Sequence, residues 1–419
     1  MTGPIASLAL TRGAILAMRA GIMACKLGLA AFIGRYLDLS SLGLYGLAAG
    51  AAALVPALVG LGLVNVIMRD AVGAPLEQLA AHLRDYWSLV CAAYAVLLAG
   101  AVVAVAALGA DRLSVLVVLV IVFEHVGNDV VQILTNQERP LLANANAFLR
   151  GAAWILLYAP AAFLVPSLRS LEAVLGCWLA GSVAAFLLFA WTSRHWPWRA
   201  AFASGLSLPW LVRTVRRAGV IYVSDLSFVA SQQLDRYIVT AFLGLQLAGV
   251  YFLYWSAANA VSMFVSVGVL QIERPRLIRA FRQGEAEFRG RAGALMRTTL
   301  AASVVLGAAA AGLAYLALPL LKQPAVAEHV GALNLILAGI VVRNYADAGA
   351  MALFAARRDG VMTATNLAAL VGLVAAQFAL LPRTGLYGAG AAIVVAFGVV
   401  ALHRQVLVFG LPRRAGSLS

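Results

Sequence analysis

Charge is scarce in this chain, and lysine is almost missing. Only 11% of the 419 residues are Asp, Glu, Lys or Arg, and Lys26 and Lys322 are the only lysines. Soluble domains carry about a quarter charged residues. This poverty, with 63% hydrophobic residues and a mean hydropathy of +0.92, excludes a soluble globular protein. Cysteine is as sparse: Cys25, Cys91 and Cys177 lie far apart in apolar segments with no CxxC. That argues against a disulfide framework or a thiolate metal site, so these are small core residues and no metal is expected. No polar stretch is long enough for a separate soluble domain, which leaves no room for a catalytic one. No GxxxxGK[ST] run is present, so ATP hydrolysis by a P-loop is not expected. Neither enzymatic activity nor a cofactor is predicted. The first apolar segment lacks a short core and a small-residue cleavage site, and is expected to stay as the first span.

What the chain has instead is apolar length. Runs of 18 or more residues recur throughout, which predicts helices rather than the short alternating strands of a membrane barrel. The fold expected is all-α and integral to the membrane, with about twelve spans near residues 8–33, 42–67, 87–109, 113–134, 141–165, 170–192, 218–242, 247–271, 294–318, 329–354, 363–381 and 385–409. Alternate loops differ in arginine content: one set holds clusters such as Arg213, Arg216, Arg217 and Arg274, Arg276, Arg279, the other only Arg35, Arg112, Arg169, Lys322 and Arg383. The positive-inside rule makes the rich set cytoplasmic and both termini cytoplasmic. The net charge of +14 is therefore read as topology and contact with anionic membrane lipids, not nucleic acid. The longest connection, 193–217, alternates Trp196, Trp198 and Trp210 with arginines, as a headgroup-level segment does. It divides the chain into an N-terminal bundle, 1–192, a cytoplasmic linker, 193–217, and a C-terminal bundle, 218–419.

Polar side chains at membrane depth mark the candidate functional residues. Arg12, Arg19 and Lys26 recur every seven positions in the first span, two helical turns apart and so on one face. A charge at the centre of an isolated span costs about 2.5–3.5 kcal/mol. A stripe of such charges must face neighbouring helices or a wet cavity, and suits an anion that has to cross. Arg150, with Asn146 one turn before it, predicts a second cationic patch, or an interfacial anchor. Arg343 and Asp347 stand four apart, the spacing of an intrahelical ion pair. In the fourth span Glu124, Asn128 and Gln132 form one stripe and His125 and Asp129 the next. They suit sugar binding or ion coupling, or hydrogen bonds that hold helices together. Asp225 in the seventh span has no evident local partner, so Asp225, Glu124 and Asp129 are the carboxylates to test for coupling to protons or sodium. Pro56 and several glycines allow helix bending.

The two halves echo each other. Residues 32–49 and 238–255 align without gaps, matching Leu37 with Leu243, Leu39 with Leu245, Gly43 with Gly249 and Tyr45 with Tyr251. A duplicated six-helix unit places a pathway between two bundles. GRYLDLSSLGLYGLA at 34–48, and Asp235-Arg236 followed by FLG and AGVY in the second half, resemble signatures of Wzx-type O-antigen and repeat-unit flippases. These are polysaccharide transporters of the multidrug/oligosaccharidyl-lipid/polysaccharide exporter superfamily. The resemblance implies a MATE-like fold, two six-helix bundles around a central cavity. It also implies a bacterial inner-membrane protein that moves an undecaprenyl-diphosphate-linked oligosaccharide from the inner to the outer leaflet. Arg12, Arg19, Lys26, Arg150 and Arg343 would then bind the diphosphate. Glu124, His125, Asn128, Asp129, Asp225 and Asp347 would supply polar walls or ion coupling, and Asp235, Arg236, Gly43, Tyr45, Gly249 and Tyr251 would be structural. Polymerase and assembly proteins are the further partners implied. The alternatives are a drug/cation antiporter of the same fold, against which the basic stripe weighs, and a non-transport membrane component of polysaccharide assembly.

Overall fold

In lipid a backbone has no water to satisfy it, so apolar runs of spanning length fold as helices that pair every amide internally. The computed structural model describes residues 4–71, 74–108 and 112–410, with side chains described from residue 13 onward except at 101 and 104–108. Among the described residues there is no strand. Helices α1 (Pro4–Tyr36), α2 (Leu39–Val59), α3 (Leu63–Asp70), α4 (Leu76–Leu108) and α5 (Arg112–Asn136) lead to one span made of α6 (Pro140–Phe148) and α7 (Trp154–Leu164), joined by a π-helical turn at Leu149–Ala153. Then follow α8 (Leu171–Thr192), the short α9 (Trp198–Ala203) and the long α10 (Leu208–Val265). A second π turn, Ser266–Leu270, leads into α11 (Gln271–Gln283), followed by α12 (Glu285–Leu321), α13 (Pro324–Glu328), α14 (Val330–Ala355), α15 (Asp359–Thr384) and α16 (Leu386–Phe409). Ten helical stretches among the described residues are long and apolar enough to cross a membrane, and one of them, Leu208–Gln283, contains two of the expected spans. Those two meet at Gly244, whose φ of 80° breaks α10. The protein is an all-α, multi-pass membrane protein.

One expectation needs correction. The second span is not continuous. It breaks after α2, where Leu61 and Gly62 take φ values of 51° and 67°. Pro56 has no amide to donate to the preceding turn, and glycines at 60 and 62 let the chain turn sharply. A Cβ at Gly62 would also sit tightly, 3.3 Å from the Tyr222 backbone. The basic segment 273–293 is helical on both sides of Gly284, where φ is 147°.

The chain forms two compact units, Met1–Phe32 with Leu47–Val229 and Ile33–Gly46 with Ala230–Ser419. Within the first, α9 packs against the start of α4. Trp198 stacks on Trp87 at 5.9 Å, and Arg84, paired with Asp85, donates to the carbonyl of Ala201. Within the second, the glycines aligned by the internal repeat meet each other. A Cβ on Gly43 would collide with the Leu245 carbonyl, and one on Gly249 with the Leu39 carbonyl. Backbone thus touches backbone where α2 crosses α10, the close approach that small residues permit between membrane helices. A methyl group here has only backbone atoms to displace, and overpacking costs about 1–3 kcal/mol. Gly249→Ala is accordingly expected to lower the thermal midpoint of the detergent-solubilised protein. Gly219→Ala, where an added Cβ meets nothing within 4 Å, should leave it in place.

Candidate functional site

The first unit gathers most of the candidate side chains. Glu124 and Asn128 project one turn apart from α5 toward the π turn that carries Arg150. Arg150 Nη1 donates to Glu124 Oε2 at 2.8 Å and to the Glu124 carbonyl at 2.9 Å, while Nη2 donates to Asn128 Oδ1 at 2.9 Å. Gly127 makes this route possible, since a Cβ there would lie 2.6 Å from Arg150 Cδ. From α8, Trp178 Nε1 and Ser182 Oγ donate to Glu124 Oε1 at 2.9 and 3.1 Å. Both oxygens of Glu124 are therefore committed to protein donors. The interhelical clamp accounts for Glu124, Asn128 and Arg150 together.

Asn146 does not share a patch with Arg150. It is buried and donates to the Ala185 carbonyl in α8 at 2.7 Å. Gln132, third in the α5 stripe, is exposed. On the neighbouring stripe His125 is enclosed by two phenols, with Tyr86 Oη 2.9 Å from Nε2 and Tyr94 Oη 3.0 Å from Nδ1. Asp129 Oδ2 lies 3.7 Å from His125 Nε2 and accepts from Trp87 Nε1 at 3.3 Å. The residues that complete this cluster, Tyr86 and Tyr94 on α4, were not singled out from the sequence. Spaced eight apart with Val90 between them, they lie on one helical face, and that spacing was the available signal.

Arg19 and Lys26 of the α1 stripe lie along the span formed by α6 and α7. Arg19 is half-buried, its Nε donating to Asn144 Oδ1 at 2.9 Å, and Asn144 donates in turn to the Pro140 carbonyl at 2.7 Å. Two turns on, Lys26 is exposed, and a Cβ on Gly151 would sit 3.8 Å from its Cε. The seven-residue step from Arg19 to Lys26 is thus matched by the step from Asn144 to Gly151. The charges that act on Lys26 are those of Glu124 and Arg150, yet among the described residues it forms no salt bridge. The side chain of Arg12 lies outside the described residues. Asp225, exposed on α10, does have a partner: Asn65 Nδ2 of α3 donates to its Oδ2 at 2.7 Å. These residues stand 160 positions apart, so local sequence gave no sign of the pairing.

The second unit holds a separate buried network. Tyr251 donates to Asp235 Oδ2, the Arg236 amide donates to Asp235 Oδ1 at 2.8 Å, and Arg236 Nη1 donates to the Gly46 carbonyl at 3.0 Å. The Arg236 guanidinium also lies over the Trp255 and Phe252 rings, 4.2 and 5.1 Å from their centroids. Tyr45 packs edge-on against Phe252 at 5.7 Å. Asp235, Arg236, Tyr251 and Tyr45 are thus linked through one network. Arg343 and Asp347 are not the simple pair their spacing suggested. Arg343 lies over Phe397 at 4.9 Å while still feeling the Asp347 charge, and the salt bridge of Asp347, at 4.0 Å, goes to Arg404. Arg404 escaped the sequence reading. Only 1% exposed, it donates to the Ala346 carbonyl and Thr365 Oγ1 at 3.0 Å and to Asn366 Oδ1 at 2.5 Å.

No protein-family model matches the sequence, and a search of curated proteins returns no match. Solved structures do match. An inward-facing multidrug resistance MATE family transporter of the MOP superfamily superposes with a TM-score of 0.73 at 15% identity, covering 93% of this chain and 96% of that one. The lipid II flippase MurJ, in an inward closed conformation, gives 0.69 at 12% identity over 96% and 88% of the two chains. A MOP superfamily transporter from Pyrococcus furiosus, described as having a binding pocket of reverse polarity, gives 0.54 at 14% identity over 95% of each. The fold is MATE-like, and these structural neighbours are transporters and a flippase rather than enzymes.

Proposed function

We propose that the chain is a flippase that moves an undecaprenyl-diphosphate-linked oligosaccharide from the inner to the outer leaflet of a bacterial cytoplasmic membrane. The observation that carries this reading is the charge balance along α1. Lys26 is exposed and forms no salt bridge among the described residues, and the carboxylate it feels most, Glu124, is already filled by donors from Arg150, Trp178 and Ser182. Arg19, whose Nε is set by Asn144, adds a second positive charge two turns away. An anionic head group would be stabilised beside these groups through charge-assisted hydrogen bonds, whereas a cationic drug would be repelled. A polyprenyl diphosphate fits the rest of the problem, because its hydrocarbon stays in lipid while phosphates and sugars need a polar route. The MATE-like fold, shared with a lipid II flippase, supports movement of a lipid-linked cargo. Among the acids of this unit, Asp225 is the one suited to ion coupling. It is exposed and held by Asn65, while Glu124 and Asp129 are enclosed by donors.

The test is reconstitution of the purified protein into liposomes carrying a fluorescent polyprenyl-diphosphate oligosaccharide, with exposure to an impermeant quencher or glycosidase as the readout. Protein-dependent exposure of the diphosphate lipid, without transport of a cationic dye, is the expected result. Dye transport without lipid movement would overturn the reading in favour of a drug antiporter.

A further inference from the structure

The segment that follows α9 does not close completely onto α4. Between them lies a groove of about 200 Å³, lined on one side by Asp85, Ser88, Leu89 and Ala92 and on the other by residues within 206–211. Its walls are open. Ala92 and Ser207 are exposed, Leu206 and Leu208 are 58% and 63% exposed, and of the lining residues Asp85 alone is buried. The polar groups gather at one end and are already engaged. Asp85 is paired with Arg84, whose Nε donates to its Oδ1 at 2.9 Å, and the Ser207 amide approaches the same oxygen at 3.5 Å. Ser88 Oγ donates to the Arg84 carbonyl at 2.8 Å. The rest of the lining is leucine and alanine.

The groove begins at a polar boundary and runs into an apolar surface. The first turns of α4 carry Glu77, Arg84 and Asp85, and no charged residue follows from Tyr86 to Leu108. Asp85, Leu89, Ala92, Val96 and Ala99 succeed one another at steps of three and four, so they share one face of the helix. On that face Val96, 73% exposed, and the exposed Ala99 continue the surface beyond the groove, where a membrane protein meets acyl chains. A leucine wall gives water no polar partner, and such spaces take hydrocarbon: an apolar cavity of about 150 Å³ lined by Leu, Ile and Phe stays dry and binds benzene. We propose that the groove seats one acyl chain of a phospholipid, its glycerol end beside Asp85 and Ser207 and its hydrocarbon running along Leu89 and Ala92 toward Val96. Because Asp85 is already neutralised by Arg84, the seat selects the chain and not the headgroup. The resident lipid fills the gap between 206–211 and α4. The proposal is independent of the cargo assigned to the first unit.

Photolabelling of the full chain tests it, in nanodiscs that contain a phosphatidylcholine carrying a diazirine in one acyl chain, with the labelled residues located by mass spectrometry. The comparison surface is α12, where Val304 and Val305 are 51% and 67% exposed. Leu89, Leu208 and Leu211 should take about fourfold more label than these valines, the enrichment that burial of one CH₂ group supplies. Phosphatidylglycerol with the same chain should give the same excess. Ala92→Trp, which fills the groove from an exposed position, should return label on Leu208 and Leu211 to the level of α12. Equal labelling of the groove and α12 in the parent protein would reduce the groove to ordinary lipid contact and overturn the seat, whether or not the variant folds. An excess with only one of the two headgroups would overturn chain selection. Unchanged labelling of Leu208 and Leu211 in folded Ala92→Trp protein would overturn the location. Loss of the excess on adding an equimolar polyprenyl phosphate would assign the groove to an isoprenoid tail and overturn the phospholipid.

Discussion

Replacing Glu124 with alanine is expected to destabilise the first unit by about 3–5 kcal/mol, the usual consequence of removing one partner from a buried ion pair. Arg150 would be left with Asn128 and a backbone carbonyl as its partners, and Trp178 and Ser182 would lose their acceptor. The side chains of Arg150 and Glu124 are only 11% and 13% exposed, so water is a poor substitute. The loss should appear as reduced membrane accumulation and a lower melting point in detergent. The double variant Glu124→Met/Arg150→Met removes both charges and is expected to recover much of that stability, because apolar replacement of a whole buried pair is often neutral or better. If Glu124→Ala melted with the parent protein, the clamp would have no energetic weight, and Arg150 would return to the list of cargo ligands.

The second large effect is on transport rather than folding. Arg19→Ala and Lys26→Ala should each slow lipid translocation by about 10- to 100-fold, from the roughly 1.5–3 kcal/mol of a hydrogen bond to a charged group. The double variant should abolish it, with protein levels in the membrane unchanged. Arg19 is half-buried and Lys26 exposed, so truncating them opens little core, which is why folding and transport can be read separately. Lys26→Arg should retain most of the rate, since it keeps the charge and adds donors that match phosphate. Normal translocation by the double variant, measured in proteoliposomes or as surface polysaccharide in cells, would remove the α1 cations from the mechanism.

The all-α, multi-pass build and the split α10 were legible because apolar length and charge scarcity are local properties. The repeat-derived glycines were legible too: Gly43 and Gly249 were paired on alignment alone, and they turn out to face each other. Partnerships were harder to read. Asp225 with Asn65, Arg150 with Glu124 and Asp347 with Arg404 all join different helices, and spacing rules see only neighbours three or four residues away. Arg404 shows the cost of this. Placed near the end of the last apolar run, it carries no local sign of a partner, and only the positions of Ala346, Thr365 and Asn366 reveal that it is enclosed. The break after α2 was partly signalled by Pro56 and the flanking glycines, but the Tyr222 backbone that Gly62 accommodates could not be guessed.

The wide turn at Leu149–Ala153 leaves a particular mark on how this segment tolerates change. Such a turn holds one residue more than a regular helix would, and here the Arg150 carbonyl is met by Trp154 Nε1 at 2.9 Å. Deleting a single residue would let the span close into an unbroken α-helix, with every local amide paired. The same deletion would rotate all that follows by about 100°, swinging Trp154 and Tyr158 off the sides of the bundle where they are now buried. A shorter, more regular span would thus be locally sound and globally misdirected.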